Sequence, residues 1–194
     1  MKGILFLPAL IFCYLTSNGQ QAGTFTDTRD GKTYKVVKIG TQTWMAENLN
    51  YNMDGSCCYG NAPANCSKYG RLYTWEAAKK ASPKGWHLPS FKEWMTLINY
   101  VGGENIAGKK IKSSTGWQKT GNGLNAYGFS ALPAGSKNDK GIFGLNGEVS
   151  DWWSATEYDL KNAVSFMIGT YYNGIIKNYL SPKMNSYSVR CVKD

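Results

Sequence analysis

The residues from Tyr69 to Trp94 constrain the fold most, because they encode two short helices and the aromatic-rich turn between them. The second helix has the clearer signal, since Ser90 and Glu93 form an S-x-x-E capping box ahead of an apolar period. That period, with spacing i, i+3, i+4, i+7, places four side chains on one helical face: Trp94, Leu97, Ile98 and Val101. Gly102-Gly103 is expected to end this helix.

The first helix is predicted over residues 74–81, with lysines near its C-terminus, where the helix dipole favours cations. Both helices are too short to be stable alone, so they must pack against other elements. Residues 25–28 and 33–39 predict a hairpin around Asp30-Gly31, and residues 43–46 predict a third strand. An antiparallel meander therefore precedes the helices.

Strands also follow the helices. Residues 148–156 form a predicted strand, and residues 163–169 and 175–180 flank Asn173-Gly174, a strong hairpin signal. Residues 107–112 are expected to be extended or to turn, and residues 186–192 to form the last strand. The predicted fold class is α+β, with two short helices packed on a small twisted antiparallel sheet and long irregular loops.

Residues 1–19 are predicted to be a signal peptide. Lys2 supplies a positive start, residues 4–15 are mostly apolar, and small residues at 17 and 19 precede a cleavage point before Gln20. The apolar run is too short for a transmembrane helix, and no later stretch approaches the needed length. We expect an exported chain, secreted, on the cell surface or in the periplasm, with a lead-in at 20–29 and one domain at 30–194.

The chain carries 22 Lys and Arg against 13 Asp and Glu, a formal net charge of +9. The basic residues are scattered, without a block of five or more, so no nucleic-acid partner is predicted. A solvated basic surface is the simpler interpretation. Attraction to anionic glycans or to a charged cell envelope is the second interpretation.

Four cysteines remain after export, and an even count in an exported chain indicates disulfides with three possible connectivities. The adjacent residues Cys57 and Cys58 are poorly placed to pair with each other. The preferred pairing is Cys58–Cys66 with Cys57–Cys191, and the swapped pairing, Cys57–Cys66 with Cys58–Cys191, stays open. Zinc is not predicted, because the chain has one His and unsuitable spacing. No cofactor is predicted.

Six motifs resemble the Fibrobacter succinogenes major paralogous domain family, in family order. They are WMAENLNY (44–51), ANCSKYGRLYTW (64–75), GWHLP (85–89), GFSALPAG (128–135), WWSATE (152–157) and SVRCV (188–192). The resemblance runs from about Asp30 to Asp194. It implies an exported protein, often lipid-anchored or surface-associated, of mostly unassigned function.

That family is similar to the C-type-lectin-like superfamily, which also includes the formylglycine-generating enzymes. The resemblance implies a C-type-lectin-like fold, in which the N- and C-terminal strands pair. It does not imply the enzymatic activity, because those relatives need a reactive cysteine pair late in the chain and only Cys191 lies late here. The lectin calcium triplets Glu-Pro-Asn and Gln-Pro-Asp are also missing. The resemblance in fold therefore does not imply a lectin or enzyme function for this chain.

The predicted site lies around Trp152-Trp153, whose indoles should point to opposite faces of one strand. One indole is expected in the core, and the other is expected to form an exposed sugar-stacking platform. Its polar and aromatic neighbours would be Glu148, Asp151, Tyr171 and Tyr172. The preferred interpretation, however, is that long loops bury both indoles, which makes the platform the alternative.

Other candidate residues have local explanations. Glu76 and Glu93 are imaginable as a glycosidase pair, but each is accounted for by its helix. Arg71 and Arg190 are the predicted structural partners of these carboxylates, and His87 is expected to be half-buried where the second helix begins. Calcium binding through Asn146-Gly147-Glu148 is a further alternative, for which turn chemistry is the simpler interpretation.

The sequence thus predicts an exported, non-catalytic surface or envelope domain that binds polysaccharide through exposed aromatic side chains. The alternative is a structural or protein-interaction module of the cell envelope, with the loops at 104–147 as its contact surface.

Overall fold

The computed structural model describes residues 22–194, so the predicted signal peptide lies outside the described residues. The helices are α1 (Pro63–Tyr69), α2 (Trp75–Ala81), α3 (Phe91–Tyr100) and α4 (Glu104–Ile111), with a short 3-10 helix at Tyr59–Asn61. The early strands are β1 (Ala22–Thr26), β2 (Thr33–Ile39), β3 (Gln42–Met45), β4 (Ser56–Cys57), β5 (Leu72–Tyr73) and β6 (Trp86–His87). The later strands are β7 (Ser136–Lys137), β8 (Phe143–Gly144), β9 (Val149–Glu157), β10 (Asn162–Gly169), β11 (Ile176–Pro182), β12 (Tyr187–Ser188) and β13 (Val192–Lys193).

The fold is α+β, as predicted, but it contains two main sheets rather than one. One has the order β1-β2-β3-β13-β6 and the other β11-β10-β9-β12-β5-β4, while β7 and β8 form a separate hairpin. Within residues 22–194, no helix is long and apolar enough to cross a membrane.

The N-terminal meander is confirmed. Strands β1 and β2 pair antiparallel from Ala22↔Val37 to Thr26↔Thr33, and β2 pairs with β3. The sheet therefore begins at Ala22, inside the segment that the sequence assigns to a lead-in.

The last strand is not continuous, contrary to the prediction for residues 186–192. Strand β12 pairs with β5 and β9 in one sheet, and β13 pairs with β3 and β6 in the other. Val189, Arg190 and Cys191 cross between the sheets and are at most 1% exposed. Buried and exposed side chains do not alternate along this segment, because both sheets enclose it.

Helix α3 confirms the capping box. Ser90 Oγ accepts from the Glu93 N–H at 3.3 Å, and Glu93 Oε2 accepts from the Ser90 N–H at 2.8 Å. Gly102 and Gly103, with φ of 114° and 92°, end the helix in backbone conformations that favour glycine.

The expectation of an extended segment at 107–112 is wrong. Gly103 permits the chain to restart as α4, whose Ala107 and Ile111 lie one turn apart and are fully buried. Helix α1 is also absent from the sequence prediction; it begins with Pro63, whose fixed φ suits the first helical turn.

The disulfide Cys58–Cys66 is confirmed. The predicted partner bond Cys57–Cys191 is wrong, and so is the swapped pairing, because Cys57 and Cys191 are free thiols. Cys57 lies in β4 of one sheet, whereas Cys191 directly precedes β13 of the other sheet, buried within 3.4 Å of Ser82 Oγ. Burial raises the pKa of the Cys191 thiol to about 12.

Candidate functional site

Both indoles are buried, as the preferred interpretation of the sequence predicts, and the alternative tryptophan platform is not formed. Trp152 and Trp153 do face opposite sides of β9, but both are 0% exposed. Trp152 packs near Trp94 with ring centroids 6.1 Å apart, and its Nε1 donates to Asn48 Oδ1 at 2.9 Å. Trp153 packs on Tyr187 at 4.4 Å. Because both faces of this strand are covered, neither indole has a surface for a ligand.

The other predicted site residues separate into two groups. Asp151 is buried beside the tryptophans, and desolvation raises the pKa of its carboxyl to about 7. Tyr171 and Tyr172 are 64% and 54% exposed, and lie just past the end of β10. Glu148 lies nearby, since its backbone carbonyl accepts from Thr170 at 2.7 Å. The structure therefore brings Glu148 and the two tyrosines together, away from the buried indoles.

A different pair of exposed rings lines an open cleft beside a strand edge. Tyr158 and Tyr179 are 55% and 42% exposed, with ring centroids 6.1 Å apart and planes tilted by 53°. They border an open cavity of about 710 Å³. We name this cavity the tyrosine groove; it is lined by Tyr158, Lys177, Asn178, Tyr179, Leu180, Ser181, Pro182 and Tyr187.

A β-bulge explains why two consecutive residues of β11 are exposed. Ser165 of β10 pairs with Asn178, so an uninterrupted register would pair Ala163 with Leu180; instead Ala163 pairs with Ser181. One extra residue in β11 breaks the alternation of faces, and both Tyr179 and Leu180 point outward. Strand β11 is also the edge of its sheet, so nothing in the sheet covers this side.

The groove tyrosines are supported by the aromatic core. Tyr179 contacts Phe91 at a centroid distance of 5.9 Å, Phe91 stacks on Phe166 at 5.8 Å, and Phe166 stacks on Trp94 at 5.1 Å. Tyr179 is thus the outer end of a continuous series of ring contacts that begins at a fully buried indole. Rings held in this way lose little conformational freedom when a ligand stacks on them.

Polar groups surround the rings. Lys177 Nζ forms an ion pair with Glu104 at 2.7 Å, and Ser181 Oγ shares a hydrogen bond of 2.7 Å with Ser165. Tyr187 Oη accepts from Asn185 Nδ2 at 2.8 Å. An apolar floor with a few oriented polar groups is typical of small-ligand sites.

His87 lies outside the groove, where α3 begins. Its Nε2 is 2.7 Å from Glu93 Oε1 and its Nδ1 is 2.6 Å from Asp194 Oδ1. Burial would lower the pKa of His87, but the hydrogen bonds to Asp194 and Glu93 raise it. This bridge holds the capping carboxylate of α3 in place. His87 thus lies where the helix begins, as predicted.

The predicted arginine–carboxylate pairs are not formed. Glu76 pairs with Lys79 at 3.0 Å, and Glu93 pairs with His87. Arg190 instead donates from Nε to Asn48 Oδ1 at 3.0 Å. Arg71 Nη1 donates to Ser56 Oγ at 3.4 Å. The two arginines therefore bind neutral groups rather than the helix carboxylates.

Calcium binding by the oxygen-rich turn at 146–148 was an alternative hypothesis from the sequence. Asn146 Nδ2 donates to the carbonyls of Pro133 and Ala134, both at 3.3 Å, so this side chain closes a loop. Among residues 22–194, no group of three or more His, Cys, Asp or Glu side chains is arranged to hold a metal ion.

The sequence analysis missed Tyr158 and Tyr179. A bulge cannot be inferred from residue alternation, and the turn that presents Tyr158 depends on Asp159, whose Oδ1 accepts from the N–H groups of Lys161 and Asn162 at 2.7 Å. The one local signal was this Asx turn ahead of a strand, which predicts a turn but no binding site.

Comparison with known proteins gives one match. Residues 37–193 match the sequence profile of the Fibrobacter succinogenes major domain. No curated protein and no solved structure matches the chain.

Proposed function

We propose that this chain, which belongs to the Fibrobacter succinogenes major domain family, is an exported, non-catalytic domain that binds polysaccharide in the tyrosine groove. One observation carries the proposal: two half-exposed tyrosine rings, anchored on the core through Phe91, flank an open cavity of about 710 Å³. The family is an uncharacterised domain, so the function is argued from this groove.

The chemistry of the groove suits sugar rings. A pyranose has an apolar face of C–H groups, which packs on an aromatic ring, and an equatorial rim of hydroxyls, which needs hydrogen bonds. Tyr158 and Tyr179 supply the rings. Lys177, Asn178 and Ser181 supply donors and acceptors along the same cavity. The open form of the groove favours a chain that lies across it rather than a ligand that is enclosed.

Three features support the rest of the proposal. The Cys58–Cys66 disulfide is compatible with an oxidising compartment, and hence with export. Pairing of β3 with β13 brings N- and C-terminal strands together, as a C-type-lectin-like fold requires. A non-catalytic role is favoured because the carboxylates weighed as an acid–base pair already hold other partners: Glu93 binds His87, and Glu76 binds Lys79.

The proposal is tested by titrating the purified chain with a panel of soluble neutral polysaccharides in isothermal calorimetry and affinity electrophoresis. We expect binding to at least one of them, and at least about fivefold weaker binding for the double variant Tyr158→Ala/Tyr179→Ala, because two stacking contacts of about 0.5–1.5 kcal/mol each are lost.

The matched control is Tyr171→Ala/Tyr172→Ala, which removes two similarly exposed rings at the other end of β10. It should bind as the parent chain does. Loss of binding in this control, with the groove variant unaffected, would move the site to the tyrosines at 171 and 172. No binding to any of these neutral polysaccharides would refute the binding of polysaccharide in the tyrosine groove.

A protein-interaction module is the second candidate, and the exposed apolar residues near the groove favour it. Leu160, Leu180 and Met184 are 94%, 66% and 69% exposed, beside the uncovered edge of β11. An edge strand with neighbouring apolar side chains can accept another strand. If the whole polysaccharide panel is negative, protection of β11 amides from hydrogen exchange by an added envelope protein would favour this alternative.

A further inference from the structure

A second cavity, of about 350 Å³, lies between the N-terminal meander, α1 and the segment around Ser130. It shares no lining residue with the tyrosine groove. We name it the arginine pocket; the lining residues used below are Tyr34, Lys35, Asn48, Lys68, Ser130 and Arg190. Its volume lies at the lower end of the range for small-ligand sites, about 300–1,000 Å³.

Arg190 contributes a buried positive charge to this pocket. The side chain is fully enclosed, with its guanidinium 4.4 Å from the centroid of the Phe129 ring. Its Nε donates to Asn48 and its Nη1 to the carbonyl oxygens of Phe129 and Met45. All of these partners are neutral, and Arg190 forms no ion pair with any residue in the range 22–194.

A buried cation without a counter-ion is costly, so it calls for a compensating anion. The desolvation is severe enough to lower the pKa of Arg190 to about 9. Glu47 also lines the pocket, and its charge raises the pKa of Arg190 against the effect of desolvation, but the two side chains form no ion pair and Glu47 Oε2 accepts from the Lys35 N–H at 2.8 Å. An anionic ligand would supply the direct contact with the guanidinium that Glu47 does not make.

The rim of the pocket is also positive. Lys35 and Lys68 are exposed and line it, and so does Lys32, which pairs with Asp30 at 2.6 Å. Such side chains raise the local concentration of anions and accelerate their association. Three of the scattered lysines thus lie around one opening.

The polar groups inside the pocket are held in place. Asn48 uses both ends of its amide: Nδ2 donates to Tyr69 O at 2.9 Å, and Oδ1 accepts from Trp152 and Arg190. Ser130 lies in the left-handed region, with φ of 54°, and its N–H donates to Asn125 Oδ1 at 2.8 Å. A non-glycine residue held in this conformation beside a cavity is a feature of ligand sites.

We infer that the arginine pocket binds the carboxylate of an acidic sugar, so that the glycan of this domain is a polymer containing hexuronic acid. The hydrogen bonds of Arg190 to the protein use Nε and Nη1, which leaves Nη2 to donate to a carboxylate, and the exposed Lys35 and Lys68 line the same opening for further polar groups of the sugar. The sugar part of this inference rests on the proposed function; the anion part stands on the pocket alone.

The test uses the full chain and two matched trisaccharides, trigalacturonate and neutral galactotriose, with inorganic phosphate as the third probe. Calorimetry is run at 20 mM and 200 mM NaCl. We expect trigalacturonate to bind at least tenfold more tightly than galactotriose or phosphate. Its affinity should fall at high salt, because exposed charges are screened within about 10 Å.

The first variant is Lys35→Glu/Lys68→Glu, which reverses two exposed rim charges and leaves the core intact. It should weaken trigalacturonate binding at least tenfold. The control Lys84→Glu/Lys140→Glu makes the same change in net charge at exposed lysines outside the pocket, and should change the affinity less than twofold. Arg190→Lys, checked for folding by its thermal melt, should also weaken binding while keeping the charge.

If the rim variant and the control lose affinity for trigalacturonate equally, the net charge of the protein attracts the ligand. That result would refute binding in the arginine pocket. Equal affinity for phosphate would reduce the site to a general anion site and overturn the uronate assignment. Loss of trigalacturonate binding only in Tyr158→Ala/Tyr179→Ala would place the acidic sugar in the groove instead. If trigalacturonate binds at the pocket but no neutral polysaccharide binds at the groove, the groove proposal fails and the pocket stands.

Discussion

The tryptophans and the exposed tyrosines of this domain behave differently, although both are large aromatic side chains. All seven tryptophans are at most 7% exposed, whereas Tyr158, Tyr171, Tyr172 and Tyr179 are all more than 40% exposed. In a domain with many short strands, the indoles fill the space between two sheets and four helices. The tyrosines, with a hydroxyl at the tip, tolerate water and remain available to a ligand.

The two populations are nevertheless connected. Phe91 and Phe166 join Trp94 of the core to Tyr179 of the groove through ring contacts of 5.1–5.9 Å. On the other face of β9, Trp153 packs against Tyr187, which also lines the groove. The comparison therefore separates side chains that fill the core from side chains that the proposed function assigns to binding, and the substitutions below examine the two groups.

The largest effect is expected at Trp94. This indole is fully buried, with Trp44 and Phe166 at centroid distances of 4.9 and 5.1 Å. Trp94→Ala should lower the free energy of unfolding by about 3–5 kcal/mol, through lost burial and the cavity left behind. Urea denaturation gives the value. The counterpart Tyr158→Ala, at an exposed ring, should cost less than about 0.5 kcal/mol; equal losses would abolish the distinction.

Asp151 should give a pH-dependent effect of intermediate size. Its burial raises the pKa from 3.8 to about 7, so the protonated carboxyl is favoured in the folded state. Stability from this group is present below about pH 4 and is lost as the pH rises through 7. Asp151→Asn should therefore gain about 3–4 kcal/mol in unfolding free energy, relative to the parent chain, between pH 4 and pH 8.

Denaturant titrations at the two pH values measure this difference, with Asp139→Asn as the control at an exposed carboxylate. The control should show no comparable trend. If the stability of the variant relative to the parent does not rise between pH 4 and pH 8, the ionised Asp151 is tolerated in the folded protein, and the core on this face of β9 accepts charge.

The smallest effect is expected at His87, which connects the cap of α3 to the position of Phe91 under the groove. The pKa of His87 is raised and the pKa of Glu93 is lowered, so their bridge is fully formed between about pH 4.5 and 6.5. Stability from His87 is lost as the pH rises through its folded-state pKa.

His87→Gln should cost about 0.5–1 kcal/mol at pH 5.5 and less at pH 9, because the side chain is 40% exposed and solvent screens the pair. Thermal melts at both pH values provide the measurement. The control Glu76→Gln removes the ion pair with Lys79, and should have the same small effect at both pH values. If the stability cost of His87→Gln does not change with pH, His87 does not contribute to the cap of α3, which Ser90 and Glu93 then form alone.

Local signals in the sequence were sufficient for several elements. The capping box at Ser90 and Glu93, the Gly102-Gly103 stop and the hairpin around Asp30-Gly31 depend on neighbouring residues only, and the structure confirms each of them. Strands β10 and β11 also pair as a predicted hairpin, but Asn173-Gly174 lies within the longer connection at 170–175 rather than forming a tight turn. The Cys58–Cys66 bond belongs to the same group, because its two cysteines are eight residues apart.

The candidate sites were decided by contacts between distant residues. Whether Trp152 and Trp153 are exposed depends on which elements cover β9, and the exposure of Tyr179 depends on a bulge against β10. Arg190 is joined to Asn48 across 142 positions of sequence. The sequence by itself determined the elements that have strong local signals, the family and the net charge. The tertiary structure alone decided which aromatic rings are exposed to water and where Arg190 is buried without an ion pair, since burial is a property of the packed chain.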